Sequence, residues 1–265
     1  LAEFLPISSS GHLAIAEHFL GQAGIPATPD FFDVLLHLGT LVAVFVAYWQ
    51  DIREMVVELI DGIRDLAHGT TPNPIPPARR LILLIIVATL PLFAVLPVKD
   101  LVEALSGNIY FVAGALIVTG FLLFASDRVK KGRKTEKNAT LVDVLLVGVA
   151  QAIATCPGIS RSGTTITAGC FVGFDRKFAV RFSFLMSIPA ILGANLLTMI
   201  DAIQENTIIV SDIPVYLVGV AVAAVVGYAC IRLLKMIADK GKFGWFAYYC
   251  WTAGLIVLAL TLVVG

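Results

Sequence analysis

Six stretches of the chain, at about residues 31–49, 80–98, 108–126, 181–200, 214–234 and 243–263, stay apolar long enough to cross a hydrocarbon core of about 30 Å as helices. Each predicts a transmembrane helix. A different pattern governs DIREMVVELIDGIRDL, residues 51–66, where acids and apolar side chains alternate at helical spacing. It predicts an amphipathic helix on a membrane surface, followed by a proline-rich connector, TPNPIPP. Two further regions, residues 1–20 and 139–176, carry shorter apolar arms around a polar, turn-forming cluster. The two clusters repeat one pattern: Ile7-Ser8-Ser9-Ser10-Gly11 aligns with Ile159-Ser160-Arg161-Ser162-Gly163 without a gap, each just after a proline.

Composition fixes the medium. The chain is 58% hydrophobic and 14% charged, with a mean hydropathy of +0.90, against roughly 25% charged residues in a soluble domain. This is an all-α integral membrane protein. A net charge of zero argues against nucleic acid as a partner. Cys156, Cys170, Cys230 and Cys250 lie in apolar sequence without metal-type spacing and read as small buried hydrophobes.

The distribution of Lys and Arg sets the topology. Seventeen of the 19 fall in the loops at 50–80, 127–138, 176–181 and 232–242, whereas 21–30 and 201–213 have none and 99–107 has only Lys99. The positive-inside rule places the seventeen in the cytoplasm. By parity, residues 139–176 leave the cytoplasm and return to it, and residues before 21 enter from outside. Each is expected to be a re-entrant helical hairpin with a motif copy at its tip. The expected architecture is about six transmembrane helices plus two re-entrant hairpins in an inverted-topology repeat. One domain spans 1–265, with a first repeat at about 1–126, a second at about 139–265, and the basic loop 127–138 between them. FFDVLLHLG (31–39) and FSFLMSIPA (182–190) follow the tips at nearly the same offset. No cleavable leader is visible and residue 1 is leucine, so the natural start is expected upstream.

The nineteenth basic residue, Arg161, falls at the second tip, where an uncompensated charge is costly. It reads as an anion receptor, or else as an arginine satisfied by carbonyls or a carboxylate. Its neighbours favour the anion. Ser160, Ser162, Thr164 and Thr165 offer hydroxyls, while Gly158 and Gly163 permit a tight turn and close backbone approach. A helix through GTTITAGCFVGF would aim free N–H groups at the tip, and arginine adds bidentate contacts. At the first tip, Ser8 and Ser10 can cap a helix through HLAIAEHFL. Glu3, Ser9 and His12 add groups that binding alone does not need. A serine attacks phosphorus when a base takes its proton, histidine suits proton transfer near neutrality, and a carboxylate can hold a divalent cation. Spacing alone also allows Glu3 to pair with Arg161, Ser9 to cap and His12 to bond to backbone.

Glu3-Phe4-Leu5-Pro6-Ile7-Ser8-Ser9-Ser10-Gly11-His12 and Pro157-Gly158-Ile159-Ser160-Arg161-Ser162-Gly163-Thr164-Thr165 resemble the two motifs of the bacterial undecaprenyl-pyrophosphate phosphatases, also called bacitracin-resistance proteins. Those motifs are (E/Q)xxxE running into Ser-Ser-x-Gly-His, and PGxSRSxxT. The second is matched at every fixed position. The similarity continues through FFDVLLHLGTLVAVFVAYW and FSFLMSIPAILGANLL and covers essentially the whole chain. It implies hydrolysis of undecaprenyl (C55 polyprenyl) pyrophosphate to the monophosphate and inorganic phosphate, which recycles the carrier lipid for cell-wall synthesis and confers bacitracin resistance. It also implies a divalent cation, Mg or Ca, and a place in the bacterial inner (plasma) membrane with the active site open to the outer, periplasmic face. The implied partners are the lipid substrate, membrane lipid and, as a homodimer, a second copy of the chain.

By position, the resemblance makes Glu3, Ser9, His12 and Arg161 the catalytic set, with Glu3 also the metal ligand. Ser160, Ser162 and Thr165 match the remaining polar positions of the second motif. With Ser8, Ser10, Gly158, Gly163 and Thr164 they form the expected substrate-binding set. The family's first glutamate would fall just before Leu1. The equivalent pair in the second repeat is Gln151 and Thr155, so carboxylate chemistry belongs to the first tip.

In the expected mechanism, Arg161 and a cation near Glu3 hold the pyrophosphate, Ser9 attacks the terminal phosphorus, His12 manages the proton, and water hydrolyses the phosphoserine. His12 as nucleophile, or direct attack by metal-activated water, fits the sequence too. The small residues of 214–227 suit either a groove for the polyprenyl tail or close helix packing. A rival of another class is a polyprenyl-phosphate flippase, because opposed broken helices are transporter architecture. It would need Arg161 but neither Ser9 nor His12. Glu17 and His18 read as peripheral. Asp33 and His37 share one face of the first full span, with Asp33 near its outer end, and Asn195 reads as an interhelical hydrogen-bonder. Trp245, Tyr248, Tyr249 and Trp251 are expected as interfacial anchors.

Overall fold

The computed structural model describes residues 1–24, 30–70, 72–204 and 213–264. The loops expected outside, at 21–30 and 201–213, lie largely beyond the described residues. Every regular element among the described residues is helical: α1 (Ser9–Gln22), α2 (Asp30–Ala47), α3 (Trp49–His68), α4 (Pro77–Thr89), α5 (Lys99–Ala104), α6 (Ile109–Ser126), α7 (Leu141–Ile153), α8 (Arg161–Phe171), α9 (Arg176–Gln204), α10 (Ile213–Lys240) and α11 (Gly244–Val264). A 3₁₀ segment, Leu90–Val98, joins α4 to α5.

Five of the six expected spans are present outright, and the sixth qualifies only together with the helix that follows it. Pro77–Gly107, Ile109–Ser126, Arg176–Ile200, Ile213–Ala238 and Gly244–Val263 are each long and apolar enough to cross a membrane. The sixth, Phe31–Ala47, breaks from Trp49–His68 at 85°. That bend turns the amphipathic α3 away from the line of α2, as its acid–apolar pattern requires. The protein is a multi-pass membrane protein.

Ion pairs tie down the polar segments. Arg79 meets Glu58 at 3.1 Å and Asp65 at 2.7 Å, fastening α3 to the start of α4. Its hydrogen bond holds the Asp65 carboxyl below the usual carboxylate range. Arg181 joins Asp51 (3.4 Å) to Glu136 (3.3 Å), and Lys134 holds Asp143 (2.8 Å) beneath the capping box that starts α7. Asp127 accepts from the Phe243 and Gly244 N–H groups, so the basic loop also caps α11.

Small residues seat the long helices. A Cβ added at Gly39 would lie 2.6 Å from the Val220 carbonyl oxygen, and one at Gly227 would lie 2.5 Å from the Phe4 ring. Of the two readings of 214–227, close packing is the one the structure adopts. Trp251 also departs from its expected role as an interfacial anchor: it packs inward against Phe121 and Phe124 at ring distances of 5.0 and 5.1 Å. Trp245 and Tyr248 are exposed, as anchors should be. The 3₁₀ stretch has a local cause. Pro91 and Pro97 remove two backbone donors from LPLFAVLPV, and Phe93 and Leu96 are left exposed.

Candidate active site

The two motif copies fold alike. The Gly11 N–H donates to Ser8 Oγ (3.2 Å) and the Gly163 N–H to Ser160 Oγ (3.1 Å), so each first serine is an N-cap. The serine two positions on lies 3.3 Å (Ser10) or 3.4 Å (Ser162) from that hydroxyl. Helices α1 and α8 therefore begin at Ser9 and Arg161. The tips touch: a Cβ at Gly11 would fall 2.9 Å from Gly158 Cα, and one at Gly163 would fall 3.2 Å from Pro6. Free N–H groups and positive dipole ends thus converge from two helices.

Thr119 clamps the second tip from about halfway along α6. Its hydroxyl donates to the Gly158 carbonyl (3.2 Å) and accepts from the Ser160 N–H (3.1 Å). Gly158 has φ +88°, and a Cβ there would sit 2.5 Å from the Val112 carbonyl oxygen. Gly158→Ala combines a left-handed strain with a clash against backbone. It is expected to cost at least about 2 kcal/mol, read as a lower thermal midpoint in detergent; an unchanged midpoint would count against this packing. Ser8 carries φ 67° and is the sole non-glycine with positive φ among the described residues. Such strain persists where surrounding bonds over-determine it.

Glu3 comes from a turn in which the Phe4 and Leu5 N–H groups donate to the Leu1 carbonyl. Phe4 anchors that turn, 2% exposed and edge-on to Phe184 at 5.7 Å. The Glu3 carboxylate is 10% exposed and bridges the two tips. Oε2 accepts from Ser9 Oγ (2.5 Å), and Oε1 accepts from Arg161 Nη2. His37 Nε2 stands 3.8 Å from Oε2, while His37 Nδ1 donates to the Asp33 carbonyl (2.8 Å).

These groups form one end of a cavity of about 690 Å³. Glu3, Ser8, Ser9, Ser10, Ser160 and Arg161 line it, as do His37, Gln151, Thr155 and Lys99. The rest of the lining is mostly apolar, with Leu92, Phe93 and Leu96 of the 3₁₀ segment and Pro189, Ala190 and Leu197 of α9. It also includes Thr89, Thr198 and Glu103, the last paired with Lys99 at 3.5 Å. The other expected binding residues stand behind this surface. Ser162, Gly163, Thr164 and Thr165 are buried in the first turns of α8, where Thr165 Oγ1 donates to the Arg161 carbonyl (2.9 Å). Gly158 shapes the turn.

His12 does not line the cavity. Its Nδ1 lies 2.7 Å from the Ser8 carbonyl, which only accepts, so that nitrogen carries a proton. In the neutral ring Nε2 then accepts from the Tyr249 hydroxyl, also at 2.7 Å, and the two rings stack at 5.6 Å.

Among the described residues no three His, Cys, Asp or Glu side chains cluster to cage a metal. The donors present are the Glu3 carboxylate and the Ser9 hydroxyl at the cavity floor. That set fits a cation of the magnesium type, which takes one or two carboxylates and completes its shell with water and substrate phosphate.

Sequence reasoning gave no chemistry to His37, Thr155 or Lys99. Gln151 and Thr155 were legible as the counterparts of the glutamate pair, and that was the available signal.

Comparison with known proteins agrees with the motifs. The family model for bacitracin resistance protein BacA matches residues 1–256. An undecaprenyl-diphosphatase of Methanosphaera stadtmanae is 38% identical over 270 residues, covering 99% of this chain and 94% of its own. One from Alkaliphilus metalliredigens is 40% identical over 266 residues, covering 99% and 94%, and one from Syntrophotalea carbinolica is 40% identical over 262, covering 98% and 94%. Matched along nearly its whole length, with both motifs meeting at one cavity, the chain belongs to the bacitracin resistance protein BacA family.

Proposed function

We propose that this protein is a membrane phosphatase that hydrolyses undecaprenyl pyrophosphate to undecaprenyl phosphate and inorganic phosphate. One observation carries the reading. Ser9 donates to a buried carboxylate, and the same carboxylate holds Arg161, in a cavity whose lining is otherwise mostly apolar. A headgroup beside Ser9 and Arg161 would leave its polyprenyl tail along the 3₁₀ segment and α9, where Phe93, Leu96 and Leu196 line the cavity and are exposed.

The chemistry follows from the atoms. Arg161 and the N–H groups at the starts of α1 and α8 take the terminal phosphate. Ser9 Oγ attacks its phosphorus, the bridging P–O bond breaks, and the lipid monophosphate leaves. The Ser9 proton passes to Glu3 Oε2, which already accepts it. Water then releases phosphate from the phosphoserine, and Ser9 recovers a proton. With Nε2 against Tyr249, His12 serves here to fix the Ser8 carbonyl and so the turn that presents Ser9. Glu3 and Ser9 would hold a Mg or Ca ion, which when bound offsets phosphate charge.

Lys99, the single basic residue of the outer loops, lines the same cavity, which supports an opening toward the outer face of a bacterial plasma membrane. The inverted repeat is supported by the matched caps of the two tips; assembly as a homodimer belongs to the same reading. Phosphate release from undecaprenyl pyrophosphate by protein in detergent is expected to stop with a chelator and to return with Mg or Ca. Turnover indifferent to chelation would remove the cation from the mechanism.

A further inference from the structure

Gln151 lies in the last turn of α7, facing the cavity, and is used by nothing described so far. It lines that cavity beside Thr155, Ser160 and Arg161, yet it is 1% exposed, and neither Nε2 nor Oε1 has a hydrogen-bond partner among the described residues. A buried amide unsatisfied at both ends is expensive and rare. It is not placed there by a loose helix. One turn earlier, a Cβ at Gly148 would lie 2.2 Å from the Ala88 carbonyl oxygen, so α7 is pressed against α4 and Gln151 is aimed where it points.

The chemistry of the amide narrows its ligand. A phosphate dianion or a phosphoserine accepts hydrogen bonds and donates none, so it can satisfy Nε2 but not Oε1. Water satisfies Oε1 by donating, and keeps a lone pair free. A phosphoryl oxygen and a water side by side satisfy both ends at once.

We propose that Gln151 is the water-positioning residue of the second half-reaction, an inference that rests on the phosphatase reading above. Nε2 donates to an oxygen of the phosphoryl group on Ser9, while Oε1 accepts from the water that attacks it. The water oxygen bonds to phosphorus and the P–Oγ bond of Ser9 breaks. Glu3 returns to Ser9 Oγ the proton it took in the first half-reaction. Of the two water protons, one is lost to solvent and the other stays with the departing phosphate.

The test uses Gln151→Leu, similar in bulk and without polar atoms, with Gln151→Met as a second variant should leucine fold poorly. Full-length protein is mixed with undecaprenyl pyrophosphate carrying ³²P in the terminal phosphate and quenched at short times. Because two unsatisfied groups are removed, the thermal midpoint is expected to equal or exceed that of the wild type. The expected kinetics are a kcat lower by about 10–100-fold with KM unchanged or lower, and label accumulating on Ser9 after a burst of undecaprenyl phosphate. Wild-type turnover in the folded variant overturns the proposal. So does a raised KM with unchanged kcat, which would make Gln151 a ground-state contact, or a lower kcat without labelled Ser9. Absence of phosphate release from the wild type would instead defeat the phosphatase reading itself, so the two failures are told apart.

Discussion

Arg161→Lys is expected to give a folded protein that releases phosphate about 100-fold more slowly, and Arg161→Ala one that is slower by about 10³-fold or more. The lysine variant keeps a positive charge against Glu3 and the helix starts, but an ammonium lacks the planar fork that grips two phosphate oxygens. Alanine also removes the partner of a carboxylate only 10% exposed. Stranding such a charge costs about 3–5 kcal/mol, so the loss in Arg161→Ala mixes stability with chemistry. The double variant Glu3→Gln, Arg161→Ala removes the stranded charge and should recover thermal stability while staying inactive. Steady-state phosphate release beside a thermal melt reads all three. An alanine variant within tenfold of wild type would deny Arg161 its place at the phosphate.

Ser9→Ala should fold normally, because the α1 cap is made by Ser8 and α1 begins at Ser9. The hydroxyl that alanine lacks is the one directed at Glu3. Turnover is expected to fall by about 10³-fold or more, while affinity for a non-hydrolysable polyprenyl diphosphonate stays within a few-fold. This pairing separates the enzyme from the flippase, which needs Arg161 to hold the anion but has no use for a nucleophile. Lipid transport that survives Ser9→Ala, with no phosphate released by either the variant or the folded wild type, would favour transport.

The spans were readable because 18-residue apolar runs have few alternatives in a chain this greasy, and because α3 announces itself by its acids. The tips were readable for a different reason. Ser-x-Ser-Gly is an N-cap sequence, and two copies with one arginine imply two helix starts sharing a charge. Glu3 beside Arg161 and Ser9 beside Glu3 follow once the tips meet, as they do at Gly11 and Gly158.

What lay beyond the sequence depends on packing between distant segments. His12 meets a tyrosine 237 positions away, and nothing local announces Tyr249 as its partner. His37 reaches the site because α2 carries it alongside the Glu3 turn. Gln151 looks like an ordinary polar residue at a helix end until its burial without partners is seen. The apolar run at 90–98 reads as the end of a span, and only Pro91 and Pro97 hint at the 3₁₀ wall it becomes.

The most direct measurement is phosphate release from undecaprenyl pyrophosphate by the purified wild-type protein and by Ser9→Ala, in the same detergent with Mg or Ca present. Release by the wild type, reduced at least about 10³-fold in the variant, is the expected result. A folded wild type that binds the lipid and releases no phosphate, or a Ser9→Ala variant as fast as the wild type, would contradict it.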